Sequence, residues 1–147
     1  MDFKLVCDCY TNVACASGTF SFGNDGDSKC TDEYGSYGTN VIFNLEYTTC
    51  KDQKSPFYIT YVDYDEDMYT CMYLHCIAQD IVQIGNKKQA NLFNFCHENG
   101  KTFIKSVNEK SNNRNYYLCM SPDQNYLALR NIDGYDNNYI KCEFVKV

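Results

Sequence analysis

Three short segments decide how this chain is read: Asn40-Val41-Ile42-Phe43, Asn91-Leu92-Phe93 and Asn138-Tyr139-Ile140. Each sets an asparagine ahead of strand-forming apolar residues, and the copies begin 51 and 47 residues apart. A second echo lies between them, where Tyr69-Thr70-Cys71-Met72 is answered by Tyr116-Tyr117-Leu118-Cys119-Met120 after 47 residues. Self-similarity at a fixed period means one supersecondary unit repeated to close a common core. A chain of 147 residues holds three such units. Three units of four short strands would make a closed β-trefoil. The expectation is therefore a single all-β domain over residues 1–147, with twelve strands in three pseudo-repeats. That scaffold is a binding fold more often than an enzyme.

Working outward, strand alternation is widespread and helical periodicity nearly absent. Val41, Phe43, Leu45 and Tyr47 alternate with Ile42, Asn44 and Glu46, the pattern of a half-buried strand. The twelve strand candidates are Lys4–Cys9, Val13–Ala16, Thr19–Phe22, Val41–Thr48, Phe57–Val62, Tyr69–His75, Ile81–Ile84, Leu92–Cys96, Thr102–Val107, Tyr116–Met120, Tyr126–Arg130 and Tyr139–Val145. Turn residues separate them, among them Asn24-Asp25-Gly26, Ser55-Pro56, Gly85-Asn86, Asn99-Gly100, Ser121-Pro122-Asp123 and Asp133-Gly134. The polar, glycine-rich stretch Gly23–Thr39 is expected to be an extended loop. A lipocalin-like barrel or an immunoglobulin-like sandwich would carry no threefold period.

Composition agrees with strands: 14 Tyr and 9 Phe suit pleated, half-buried surfaces, and there are only 2 Pro. The net charge of −6 argues against a nucleic-acid or heparin-type partner, because binding polyanions takes clustered Lys and Arg. No apolar stretch approaches the roughly 20 residues of a membrane span, so no membrane insertion is expected. The segment Met1-Asp2-Phe3-Lys4-Leu5-Val6-Cys7 lacks the apolar run of a signal peptide.

Ten cysteines stand at 7, 9, 15, 30, 50, 71, 76, 96, 119 and 142. Their even number permits a disulfide framework. Their position inside apolar strand segments equally suits thiols packed as small hydrophobes. Cys7-Asp8-Cys9 and Cys71 with His75-Cys76 could offer soft ligands, but zinc sites favour two C-x₂₋₄-C knuckles and Cys71-x₄-Cys76 stands alone. Cys7 and Cys9 share a face by strand alternation alone. No metal is expected.

Nothing in the chain has the form of a catalytic site. The two histidines, His75 and His97, lie in or at the end of strand candidates and are expected to be structural or solvent-facing. The acidic run Asp63-Tyr64-Asp65-Glu66-Asp67 lacks the glycine-spaced loop of a calcium site and reads as a solvated hairpin turn. No phosphate-binding glycine loop and no Gly-x-Ser-x-Gly elbow occur. The absence of Trp removes the Gln-x-Trp signature of carbohydrate-binding trefoils. The expectation is no catalytic residue, no cofactor and no enzyme activity.

Five ordered stretches resemble the interleukin-1 cytokine family, its interleukin-18 branch most of all. Asp27-Ser28-Lys29-Cys30-Thr31-Asp32 is similar to an Asp-Ser-Asp-Cys-Arg-Asp stretch there. Val41-Ile42-Phe43 through Cys50-Lys51-Asp52 resembles an Ile-Phe-Ile strand followed by Tyr-Lys-Asp and a turn with proline, here Pro56. Tyr69–Ile84 is similar to the family's central hairpin. Leu92-Phe93-Asn94-Phe95 with Thr102-Phe103-Ile104 looks like its Phe-rich strand and successor. Tyr116-Tyr117-Leu118-Cys119, then Tyr139–Val145, resembles the Tyr-Phe-Leu-Ala-Cys strand and the closing strand. Two features depart from the family: the ten cysteines and the Asp63–Asp67 run.

The resemblance implies a monomeric, secreted ligand for an interleukin-1-type receptor with immunoglobulin-like ectodomains, joined by an accessory chain, signalling in immunity and inflammation. It also implies release without a signal peptide from a cytosolic precursor. Receptor contacts carried over by position are Lys4, Leu5, Asp27, Asp32, Lys51 and Asp123. A different outcome is another secreted β-rich binding protein, such as a trefoil protease inhibitor or a lectin-like module, with Gly23–Thr39 as the inhibitory loop.

Overall fold

In the computed structural model the residues described are 10–15, 19–22, 27–31, 42–49, 56–65, 68–76, 81–107, 116–123, 126–132 and 138–146. They form thirteen strands and no helix. These are β1 (Tyr10–Cys15), β2 (Thr19–Phe22), β3 (Ser28–Thr31), β4 (Ile42–Tyr47), β5 (Phe57–Asp65), β6 (Met68–His75) and β7 (Gln83–Gly85). Beyond them run β8 (Phe93–Glu98), β9 (Lys101–Ser106), β10 (Tyr117–Met120), β11 (Leu127–Arg130), β12 (Ile140–Lys141) and β13 (Phe144–Lys146). Among the described residues no helix is long and apolar enough to cross a membrane.

All pairing is antiparallel, and one curled sheet runs β11-β10-β9-β8-β5-β4-β1-β13. The curl brings β13 to within 8 Å of β9 as well as against β1. Strands β6 and β7 branch from β5, β12 branches from β10, and β2 pairs with β3 alone. Chain neighbours pair along the sheet as β4–β5, β5–β6, β8–β9 and β9–β10, and the hairpins β2–β3, β6–β7 and β10–β11 each carry a strand or pair off that run or at its end.

The core sits inside the curl. In β4 the side chains of Phe43, Leu45 and Tyr47 are buried while Asn44 and Glu46 are half-buried, as period-two alternation requires. Phe57 and Ile59 of β5, Phe93 of β8 and Ile104 of β9 meet them, with Leu118, Leu127, Leu129 and Phe144 filling the rest. Phe57 lies between Tyr47 and Phe95, with ring centroids at 5.5 and 4.8 Å. Each fully buried Phe or Leu contributes roughly 1.5–3 kcal/mol relative to exposure.

Four expectations are corrected or refined. The strand count is thirteen among the described residues: eleven of the twelve candidates fall there, Ser28–Thr31 adds one, and Tyr139–Val145 divides, since Ile140-Lys141 pairs with β10 whereas Phe144–Lys146 pairs with β1. Buried Cys142 sits at the crossing, its N–H donating to the Leu118 carbonyl at 3.1 Å. Gly23–Thr39 is not loop throughout, since Ser28–Thr31 is β3, paired from Phe22↔Ser28 to Thr19↔Thr31. The acidic run is not all turn, because the β5–β6 ladder continues to Asp65↔Met68. The strand candidate Lys4–Cys9 lies outside the described residues, and β1 begins at Tyr10 rather than Val13.

The β8–β9 hairpin turns through Asn99 and Gly100, whose φ angles are +51° and +79°. Two consecutive left-handed residues between Glu98 and Lys101 are what a two-residue primed turn demands, and Asn-Gly supplies them at least strain.

Candidate functional site

The hairpin ends meet in a ring. The Ser28 N–H donates to the Val82 carbonyl at 2.9 Å, and the Val82 N–H donates to the Leu127 carbonyl at 2.8 Å. The Leu127 N–H completes the circuit by donating to Ser28 Oγ at 3.1 Å, and that hydroxyl donates back to the Leu127 carbonyl at 3.2 Å. Ser28 is 2% exposed and Val82 fully buried, so every group in the ring would be orphaned without its partner.

Two of the six expected contact residues flank this ring. Asp27, next to Ser28, is half-buried and accepts from Gln83 Nε2 at 2.5 Å through Oδ1. Asp123 is exposed and accepts from Ser121 Oγ at 2.5 Å. Ser121 Oγ in turn accepts from the N–H of Tyr126, the neighbour of Leu127. Lys4, Leu5, Asp32 and Lys51 lie outside the described residues.

Sequence reading missed a four-residue cluster that the fold builds twice. In the first copy, Glu46 of β4 accepts from Lys87 Nζ at 2.8 Å and from the Tyr73 hydroxyl at 2.6 Å. Lys87 stands 5.3 Å from the Tyr58 ring centre, and the Tyr58 and Tyr73 rings meet edge-on at 5.9 Å and 89°. In the second copy, Glu98 of β8 accepts from Lys141 Nζ at 2.9 Å and from the Tyr117 hydroxyl at 2.8 Å. Lys141 stands 5.1 Å from the Phe103 ring centre, and Phe103 and Tyr117 meet edge-on at 6.4 Å and 89°. Corresponding members are 44 to 54 residues apart, close to the period of the echoed segments. That spacing was the available signal, but only the folded strands show which Glu, Tyr and Lys go together.

The second copy carries more. Cys96 Sγ also donates to Glu98 Oε1 at 3.2 Å, and Lys105 and Lys141 approach the Tyr117 ring at 5.2 and 4.3 Å. Hydrogen bonds from Lys141, Tyr117 and Cys96, in that order of weight, hold the Glu98 carboxyl down at about 2. Burial first, and the hydrogen bond to Glu98 next, push the Tyr117 phenol upward. A perturbed acid ordinarily suggests chemistry. Here neither proton moves near neutral pH, so the cluster clamps β8, β10 and β12 together rather than exchanging protons.

Beside this copy lies an open depression of about 520 Å³ between the β8–β9 hairpin and β12. Glu98, Lys101 and Phe103 line one side, and Ile132, Tyr139, Ile140 and Lys141 the other. The Arg130 guanidinium stacks on Tyr139 at 4.8 Å, and the Tyr139 hydroxyl shares a 3.3 Å hydrogen bond with that of Tyr126.

His75 is 6% exposed, and desolvation lowers its pKa. His97 is exposed, with Nδ1 2.9 Å from Thr102 Oγ1. Cys76, Cys96, Cys119 and Cys142 carry thiols rather than disulfides. Among the described residues no group of three His, Cys, Asp or Glu side chains is placed to hold a metal ion. Compared with protein-family models, curated proteins and solved structures, the chain matches none.

Proposed function

We propose that the chain is a β-trefoil of twelve strands in three pseudo-repeats, acting as a secreted, monomeric, cytokine-like ligand. Its partner in this reading is an interleukin-1-type receptor with immunoglobulin-like ectodomains, completed by an accessory chain. It acts as an agonist in immunity and inflammation, released without a signal peptide from a cytosolic precursor.

The observation that carries the reading is the order of pairing. Hairpins β2–β3, β6–β7 and β10–β11 recur at every fourth strand, and β13, β1, β4, β5, β8 and β9 follow one another around the curl. Counting β12 and β13 as one interrupted strand gives twelve. The ring through Ser28, Val82 and Leu127 and the twice-built cluster add independent support for repeated units. Receptor binding itself is supported by the ordered resemblance of the five sequence stretches. Recognition would fall on Lys4, Leu5, Asp27, Asp32, Lys51 and Asp123, since charged side chains set partner choice and on-rate in such a complex.

The test is a titration against an interleukin-1-type receptor ectodomain, with and without the accessory chain. A nanomolar complex weakened at least tenfold by Asp123→Lys is expected. Failure to form any complex at micromolar concentration sinks the reading.

A further inference from the structure

We propose that the depression between the β8–β9 hairpin and β12 docks a segment of a protein partner that carries an apolar side chain beside a carboxylate. The inference goes beyond receptor binding as proposed above, since none of the six contact residues lines this depression.

The repeated cluster separates architecture from surplus. Glu46, Tyr58, Tyr73 and Lys87 form the same arrangement as Glu98, Phe103, Tyr117 and Lys141, so that arrangement is part of the repeat. Around the second copy, further groups are present that the clamp does not need. Ile140 is 46% exposed, one of three large apolar side chains so exposed among the described residues, and it lies on the depression with Ile132 and Phe103. These supply the apolar floor.

Charge selects the occupant. The chain carries −6 overall, yet among the described residues the depression and its flanks hold Lys101, Lys105, Lys141 and Arg130 against Glu98. Glu98 is neutralised by Lys141 at 2.9 Å, and its oxygens are already engaged by Lys141, Tyr117 and Cys96. Lys101, exposed on the rim, forms no ion pair among the described residues, and Arg130 stacks behind Tyr139. A carboxylate entering beside an apolar group meets Lys101 on the rim and the isoleucines below. An acidic membrane surface fits less well, because the face is concave and the whole molecule repels anionic lipid.

The probe is a blocked hexapeptide alternating leucine and glutamate, titrated into the ¹⁵N-labelled full chain, with its leucine–lysine counterpart as control. The acidic peptide is expected to shift the amides of Lys101, Phe103 and Ile140, and the basic one to leave them in place. Lys101→Glu, an exposed change whose fold the same spectrum checks, is expected to weaken binding about tenfold, because it removes an attraction and sets a like charge against the carboxylate. Ile140→Ser is expected to weaken it without altering the salt dependence. Equal shifts with both peptides, no shifts at millimolar peptide, or unchanged affinity in Lys101→Glu would each overturn the inference. So would phosphatidylserine vesicles shifting these amides where the acidic peptide does not. No receptor enters this experiment, so it fails or succeeds apart from the cytokine reading.

Discussion

Ser28 and Leu127, 99 residues apart, exchange two hydrogen bonds through one hydroxyl: Ser28 Oγ accepts from the Leu127 N–H and donates to the Leu127 carbonyl. The side chain thereby stands in for a backbone group and closes a ring whose other two links are purely main-chain. Ser28→Ala removes both bonds and strands a buried N–H. The expected loss is about 1–3 kcal/mol, read as a lower urea midpoint with an unchanged slope. An unchanged midpoint would mean that the ring does not hold the hairpins.

The Glu98–Lys141 pair is partly exposed, at 36% and 23%, so water and salt screen it. A double-mutant cycle with Glu98→Gln and Lys141→Met should give a coupling of about 0.3–1 kcal/mol that shrinks in high salt. The folded Glu98 pKa, about 2, lies below its ordinary 4.5. Its stabilisation is therefore full above pH 4.5 and disappears as pH falls towards 2. A carboxyl ¹³C titration placing the Glu98 midpoint at 4 or above would contradict the clamp.

His75 supplies the opposite end of the acid range. Burial lowers its folded pKa from 6.5, so below that value the unfolded chain binds the proton more readily. Stability is full above pH 6.5 and falls as pH drops below it. Thermal melts of His75→Gln should lose this slope on the acid side of pH 6.5; a slope that persists would assign it to another group.

Gly85 is needed for space. A Cβ there would stand 2.8 Å from His75 Nε2 and 2.5 Å from Gln89 Oε1. Gln89 is exposed and can swing aside, whereas buried His75 has little room to move. Gly85→Ala should cost about 1–3 kcal/mol, and His75→Ala in the same chain should recover part of it.

Among the four thiols, Cys96 is half-buried, while Cys76, Cys119 and Cys142 are at most 8% exposed. Iodoacetamide applied to the native protein, followed by peptide mapping, should modify Cys96 ahead of those three. Faster labelling of Cys119 or Cys142 would mean that β10 and β12 open more readily than the clamp allows.

What could be read before folding was whatever local chemistry decides. Asn99-Gly100 turns because those two residues tolerate left-handed backbone, and β4 alternates because one face is buried. β3 escaped because Ser28–Thr31 is polar and owes its extended form to pairing with β2. The break at Cys142 escaped because it marks a change of partner, from β10 to β1, which composition does not encode. The Glu98 cluster was invisible for the same reason, since its members come from four strands. The period of repetition was legible, but it pointed to echoed apolar segments rather than to the ion pairs recurring at the same interval.

The span of the Ser28 ring also sets the order of assembly during synthesis. β1 finds β13 only when Cys15 can face Phe144, and Ser28 waits for Leu127. The ribosome must release Phe144 before the first closure and Leu127 before the second can form, leaving early hairpins such as β2–β3 exposed meanwhile. Folding is therefore expected only once those residues have emerged, on the ~millisecond-to-second scale of chains dominated by distant contacts.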